Sequence, residues 1–275
     1  MTTAQLLAAG PGWRVDDVIC AAGPHDPAFE ERHETVCFAL VEAGTFQYRT
    51  TQGGALLVPG AILLGNSGQC FECGHEHGIG DRCLSFHVAP DFFETIVADL
   101  PGARRLAFPV PSLPPSVRIL PFAAAAEAAL GDGEAAPWEE LTLRLAAAIG
   151  SALVDSPSRA PFPAPHVARR ISETVRHIEA AAYEPGVDLS VAALARRATL
   201  SPFHFLRAFT NVAGMTPHQF VLRMRLHRAA LRLRQSDESV TDIALGSGFN
   251  DLSSFNRRFR LIMGMAPTAF RARRG

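Results

Sequence analysis

The chain has 275 residues, 48% hydrophobic and 19% charged. That is enough for about two domains with their own cores, and it excludes a disordered or fibrous chain. The formal net charge of −1 hides an asymmetry: residues 166–275 carry 17 Arg against 8 Asp and Glu, whereas residues 1–165 carry 9 Arg against 19. So basic a half points to a polyanion as its partner. Every basic group is Arg, which can clasp a phosphate or a guanine edge bidentately, although a GC-rich coding sequence explains the absence of Lys more cheaply. Five Cys is an odd number, and the start MTTAQLLAAGPGW lacks the basic and apolar segments of a secretory signal. Free thiols or metal ligands are therefore expected rather than a disulfide framework, in a cytoplasmic setting. No apolar run approaches the ~18 residues of a membrane helix, so no membrane partner is expected.

In chain order, residues 13–90 read as short strands (TVCFALVEAGTFQYRT, GALLVPGAILLGN, RCLSFHVA). Turn signals separate them at Ala43-Gly44, Gln52-Gly53-Gly54 and Pro59-Gly60. This spacing predicts a sandwich or barrel. A short helix capped by Asp91 is predicted over 91–100, then a Pro-rich connector over 109–116. Helices are predicted near 117–130 and 137–154. In the second, Leu141, Leu145, Ile149 and Leu153 form an apolar stripe that either packs on the strands or forms a homodimer seam. SPSRAPFPAPH (156–166) reads as a linker, dividing a domain of residues 1–160 from one of residues 166–275. Further helices are predicted near 167–182, 190–197, 202–212, 217–234, 240–246, 252–262 and 267–273.

The stretch QCFECGHEHGIGDRCLSFH runs from Gln69 to His87. As a strand over 70–77 it puts Cys73, His75 and His77 on one face, because side chains alternate. Gly78-Ile79-Gly80 reads as a hairpin turn. On the return strand Leu84, Phe86 and Val88 make the apolar face, and Cys83, Ser85 and His87 the other. Thiolate with imidazole suits Zn²⁺ and other transition metals. The expected ligands are Cys73, His75, His77 and Cys83, with Cys70 or His87 as substitutes. A redox-active thiol set and plain packing stay open beside this; Cys37, in an apolar strand, reads as core.

Two helix-turn-helix patterns follow, LSVAALARRATLSPFHFLRAFTNVAG (189–214) and VTDIALGSGFNDLSSFNRRFRLIMG (240–264). In the first, Phe205, Ala208 and Phe209 form the buried stripe, leaving Phe203, Leu206 and Arg207 outward. In the second, Phe255 and Phe259 are buried and Leu252, Ser253, Asn256 and Arg257 face out. A recognition helix meets base edges near its N-terminus. Arg207 and Arg257 suit guanine, Asn256 suits adenine, and Phe203 and Leu206 suit thymine methyls. Arg223, Arg258 and Arg260 are candidates for phosphate contact. The helix over 217–234 would be the strut between the two units.

The run LA-(x)n-SP-x-x-F-x-R-x-F-x-x-x-x-G-x-x-P, with IALGSGFNDLSSFNRRFR followed by GMAPTAFR, resembles the AraC/XylS family of bacterial transcription regulators over roughly 175–272. The resemblance implies an α+β chain with an N-terminal cupin-like β-barrel for ligand sensing, a helical dimerisation segment, and an all-α domain with two helix-turn-helix motifs. It implies double-stranded DNA as partner, a small-molecule or metal effector, a homodimer, RNA polymerase contact if the protein activates, and no enzymatic activity. The outward positions match those the family uses for base contact, although Leu206 and Leu252 are less polar than is common there. Two other classes stay open: a cupin-type metalloprotein, and a redox- or alkylation-sensing protein with a DNA-binding appendage. No nucleophile-elbow or nucleotide motif accompanies them.

Overall fold

Alternation along the strands builds the N-terminal half. The computed structural model describes residues 2–76, 80–98, 107–116, 118–132, 137–154, 163–184 and 186–272. Ten strands are described: β1 (Thr2–Gly10), β2 (Trp13–Cys20), β3 (Phe29–Arg32), β4 (Val36–Gly44), β5 (Phe46–Thr50), β6 (Gly53–Leu57), β7 (Ile62–Gly65), β8 (Cys70–Gly74), β9 (Asp81–Val88) and β10 (Ser112–Leu113). They pair antiparallel in a six-stranded sheet, β1-β2-β9-β4-β7-β10, and a four-stranded sheet, β3-β8-β5-β6. The barrel expected from the sequence is thus two separate sheets among the described residues.

The two faces of the large sheet have different tasks. Phe38, Leu40, Leu84, Phe86 and Val88 point to one side, where they join Phe93 of helix α1 (Pro90–Ala98), Ala123 of α2 (Leu120–Asp132) and Trp138 of α3 (Trp138–Val154) in one apolar core. Cys37, Ala39, Val41 and Cys83 point to the other side and meet Phe46, Tyr48, Leu57 and Cys73 of the small sheet. Period-2 alternation thus commits each strand to both layers at once. In α3, Leu141, Leu145 and Ile149 are buried in the first of these cores, and Leu153 packs against it. The stripe that suggested a dimer seam is therefore used within the chain, which removes the observation behind the homodimer.

The C-terminal half is helical: α4 (Pro165–Ala181), α5 (Val191–Arg197), α6 (Pro202–Ala213), α7 (Pro217–Gln235), α8 (Val240–Gly246), α9 (Leu252–Met263) and α10 (Pro267–Arg271). Side-chain caps start most of them. Ser190, Ser201, Ser239 and Asp251 each accept from a backbone N–H of the first turn, and Thr216 with Gln219 makes a full capping box. Each cap contributes about 0.5–2 kcal/mol. The helices α6 and α9 both end at a left-handed glycine, Gly214 and Gly264.

An internal repeat explains the twin cores. Phe205, Phe209 and Phe220 pack edge-on or tilted in the first. Phe255, Phe259 and Phe270 stand fifty positions later and do the same in the second. Neither core is purely C-terminal. Val58, from the turn after β6, enters the first, and Leu120 and Ala124 of α2 enter the second. Most of the linker over 156–166 lies outside the described residues, but the halves it joins share apolar interior. Among the described residues no helix is long and apolar enough to cross a membrane.

Candidate nucleic-acid interface and inter-sheet cavity

Burial of the phenylalanine stripes fixes what α6 and α9 leave outside. On α6, Phe203 is 70% exposed despite its apolar ring, Arg207 is exposed and Leu206 is half-buried. On α9, Ser253, Arg257 and Arg260 are exposed, and Leu252, Asn256 and Arg258 are half-buried. The fifty-residue repeat places Phe203, Leu206 and Arg207 in register with Ser253, Asn256 and Arg257. One scaffold position therefore carries Arg in both helices, and the other two differ. Leu261, 82% exposed one turn beyond Arg257, lies on the same side; its apolar side chain gave no hint of this in the sequence. Among the described residues Arg207, Arg257, Arg258 and Arg260 make no salt bridge.

Other arginines are already engaged. Arg232 pairs with Glu238, Arg225 donates to the Ala182 carbonyl at 2.8 Å, and Arg228 lies 4.2 Å over the Tyr183 ring. Arg223, expected to touch phosphate, is 6% exposed and donates to the Pro59 carbonyl, with its guanidinium beside the Phe220 ring. It cannot reach DNA from there. Burial lowers its pKa to about 10, which still leaves it charged at neutral pH. The sequence hint for this was the Pro59-Gly60 turn. Gly60 has φ +83, and a Cβ there would collide with the Arg223 guanidinium.

Between the sheets lies a cavity of about 710 Å³. Alternation on β9 places Cys83, Ser85 and His87 toward it, and β8 contributes Phe71 and Cys73, with His75 just past its end. At one end Ser85 sits 3.0 Å from His87 Nε2, which is 3.4 Å from Asp16. His33 donates from Nε2 to Tyr48 Oη at 2.8 Å and stacks on Phe71; Tyr48 in turn donates to the Leu64 carbonyl. Burial, then the charge of His87, lowers the His33 pKa to about 4.

At the other end His75 Nε2 lies 2.5 Å from Asp81 Oδ1, and the Cys83 thiol donates to Asp81 Oδ2 at 3.4 Å. Cys20 completes a group with His75 and Asp81 whose ligand atoms all lie within 4.8 Å of one another. Of the four ligands expected from the sequence, His75 stands in this group and Cys83 touches it through Asp81, while Cys20 and Asp81 were not among those expected. Cys73 faces the same cavity outside that group, and His77 lies outside the described residues. Cys70 is exposed and His87 sits with Ser85 and Asp16, both apart from that group. Cys20 was missed because its nearness to Asp81 comes from the pairing of β2 with β9, which local spacing does not encode. Burial, then Asp81, pushes the Cys73 and Cys83 thiols well above their usual range. At these two positions the protonated thiol is therefore the favoured form. Cys37 is core, as expected, with its thiol pushed up to about 11 by burial.

A second group joins the halves. Glu42 of β4, Glu127 of α2 and His227 of α7 bring their ligand atoms within 4.8 Å of one another. Glu42 reaches it because the β4–β9 register shifts between Val41 and Ala43.

Residues 194–273 match the family model described as a helix-turn-helix domain. The MmsAB operon regulatory protein of Pseudomonas aeruginosa is 35% identical over 85 residues, 31% of this chain and 28% of that protein. The transcriptional activator RhaS of Pectobacterium atrosepticum is 45% identical over 65 residues, 24% of this chain and 23% of that protein. The matches thus span less than a third of the length of either relative. A crystal structure of an AraC-type DNA-binding transcriptional regulator from Chromobacterium violaceum is 30% identical, covering 38% of this chain and 92% of that one at a TM-score of 0.35. With its capped helix pairs, twin phenylalanine cores and family match, the segment of residues 194–273 is a helix-turn-helix domain, similar in sequence to those of the transcriptional regulators named above.

Proposed function

We propose that the chain is a transcriptional regulator, not an enzyme, that reads double-stranded DNA with α6 and α9 under the control of an effector held between the sheets. The observation that carries this is the paired presentation of Arg207 and Arg257. Both are exposed at the same repeat position, on capped helices clamped by buried Phe205/Phe209 and Phe255/Phe259. Two such helices joined by α7 can read successive stretches of major groove. Arg207 and Arg257 would take guanine and Asn256 adenine. Phe203, Leu206 and Leu252 would meet thymine methyls, Ser253 would bond to a base or phosphate, and Arg258 and Arg260 would meet phosphate. Such a regulator acts in the cytoplasm, and contacts RNA polymerase if it activates.

The test is selection of binding duplexes from a random pool with the full chain. Affinity for the selected site should fall steeply with salt as counterions leave the phosphates. Arg207→Ala and Arg257→Ala should each cost about 1–3 kcal/mol and relax selection at one base pair. Variants that bind selected and random duplexes like the wild type would overturn the groove assignment.

A further inference from the structure

We propose that the sensor half holds a thiophilic divalent cation of the Zn²⁺ class on Cys20, His75 and Asp81, with Cys83 as fourth ligand, and that this cation is the effector. The effector clause rests on the regulator reading above; the metal site itself does not. Topology delivers these residues from two sheets. Cys20 and Asp81 are direct partners across the β2–β9 ladder, so their side chains stand side by side on one face. Cys83 is two residues along β9, facing the same way, opposite Val18. His75 arrives from the facing sheet, its Nε2 2.5 Å from Asp81 Oδ1.

Spacing and chemistry both suit such an ion. A tetrahedral Zn²⁺ with bonds of about 2.0–2.3 Å sets its donors roughly 3.3–3.8 Å apart. Three of the four donor atoms are already within 4.8 Å of one another, and the fourth, Cys83 Sγ, is 3.4 Å from the second oxygen of Asp81. For Cys20, His75 and Asp81, closure from separations within 4.8 Å needs side-chain shifts on the order of 1 Å, and Cys83 completes the set by turning from Asp81 Oδ2 toward the ion. The thiols select against Mg²⁺ and Ca²⁺, which prefer all-oxygen sets. Cys20, His75 and Cys83 are buried, and all four residues line the 710 Å³ cavity, which gives an ion its way in. The competing account is a buried His75–Asp81 ion pair that needs no metal. In that account Cys20 has no part.

The full chain, purified without a histidine tag and stripped with chelator, should be titrated with Co²⁺. Expected are one saturable equivalent, a thiolate-to-cobalt charge-transfer band in the near ultraviolet, and its loss on adding Zn²⁺. Cys20→Ser and His75→Gln should each weaken uptake at least tenfold, and Cys70→Ser should leave it unchanged. In the wild-type chain Zn²⁺ should protect Cys20, but not Cys70, from alkylation, a readout that needs no variant to fold. Absence of saturable uptake, uptake indifferent to both substitutions, or alkylation of Cys20 unaffected by Zn²⁺ would overturn the site. Binding to the selected duplex should change by about 5–150-fold between stripped and Zn²⁺-loaded protein. Unchanged affinity overturns the effector clause. Cobalt uptake by a chain that binds no duplex leaves the metal site standing and sinks the regulator reading instead.

Discussion

Glu127 Oε2 on α2 and His227 Nε2 on α7 lie 2.8 Å apart, and this contact crosses from the N-terminal half to α7 of the C-terminal half. Glu42 stands against it. Burial first, and then the neighbouring Glu127, hold the Glu42 carboxyl well above the ordinary range. Burial pushes Glu127 up as well, but His227, Glu42 and Arg82 together outweigh it and hold Glu127 below its ordinary value. The two carboxyls therefore behave as one proton-sharing pair at the seam.

A raised carboxyl pKa means the folded state keeps a proton that the unfolded chain releases. Its contribution is full below the ordinary carboxylate range and is lost as pH rises through the folded value. Glu42→Gln, which fixes the neutral form, should raise the melting temperature more at pH 8 than at pH 5. His227→Ala, which leaves Glu127 shielded without its partner, should lower it at both. Melting curves of the three proteins across that range check this; a Glu42→Gln gain independent of pH would refute the shared proton.

The cavity histidines act in the opposite direction. His33 is lowered to about 4 by burial and His87, and His87 is itself lowered by burial and Arg14. Tyr48 and Phe71 are the other groups packed on His33. A depressed histidine leaves stability intact above its unfolded pKa, and the loss builds as pH falls from there toward the folded value. Between about pH 6.5 and 4 the His33 contribution amounts to about 3 kcal/mol. Denaturant titrations of wild type and His33→Gln at pH 7 and pH 4.5 should show the wild type losing more.

The stripe of α3 makes a third test. Leu145 is 2% exposed against the large sheet. Leu145→Ala should cost about 2–5 kcal/mol, and Leu145→Asp should give unfolded or insoluble protein. A soluble, folded Leu145→Asp chain, monomeric by sedimentation where the wild type is dimeric, would return the stripe to a subunit interface.

Arg223 separates structure from recognition. Arg223→Ala removes the donor to Pro59 and should cost about 1–3 kcal/mol of stability, without altering the salt dependence of DNA binding. Arg207→Ala should do the reverse, leaving melting unchanged and weakening DNA binding. A lowered salt slope for Arg223→Ala, near one unit, would instead place it on a phosphate.

Much of this was legible because it is local. Capping residues and phenylalanines at helical spacing named α5 to α10, and alternation on β9 sorted Leu84 and Phe86 from Cys83 and Ser85. What escaped depends on distant pairing. Cys20 meets Asp81 only through the β2–β9 ladder, and the choice between core and seam for Leu145 depends on which surface α3 meets. Arg223 read as surface because a lone Arg on a helix usually is. The approach of Pro59 and Gly60 across the seam helps bury it.

The entry of Leu120 and Ala124 into the core of the second helix-turn-helix bears on how such proteins can be recombined. A chimera cut in the proline-rich stretch near residue 160 would graft a foreign N-terminal half onto helices whose hydrophobic complement stayed behind with α2. Leu226, Ala230 and Leu233 would then face a stranger's surface. Workable swaps would carry α2 along with the DNA-reading helices, putting the crossover ahead of residue 120, forty residues before the apparent linker.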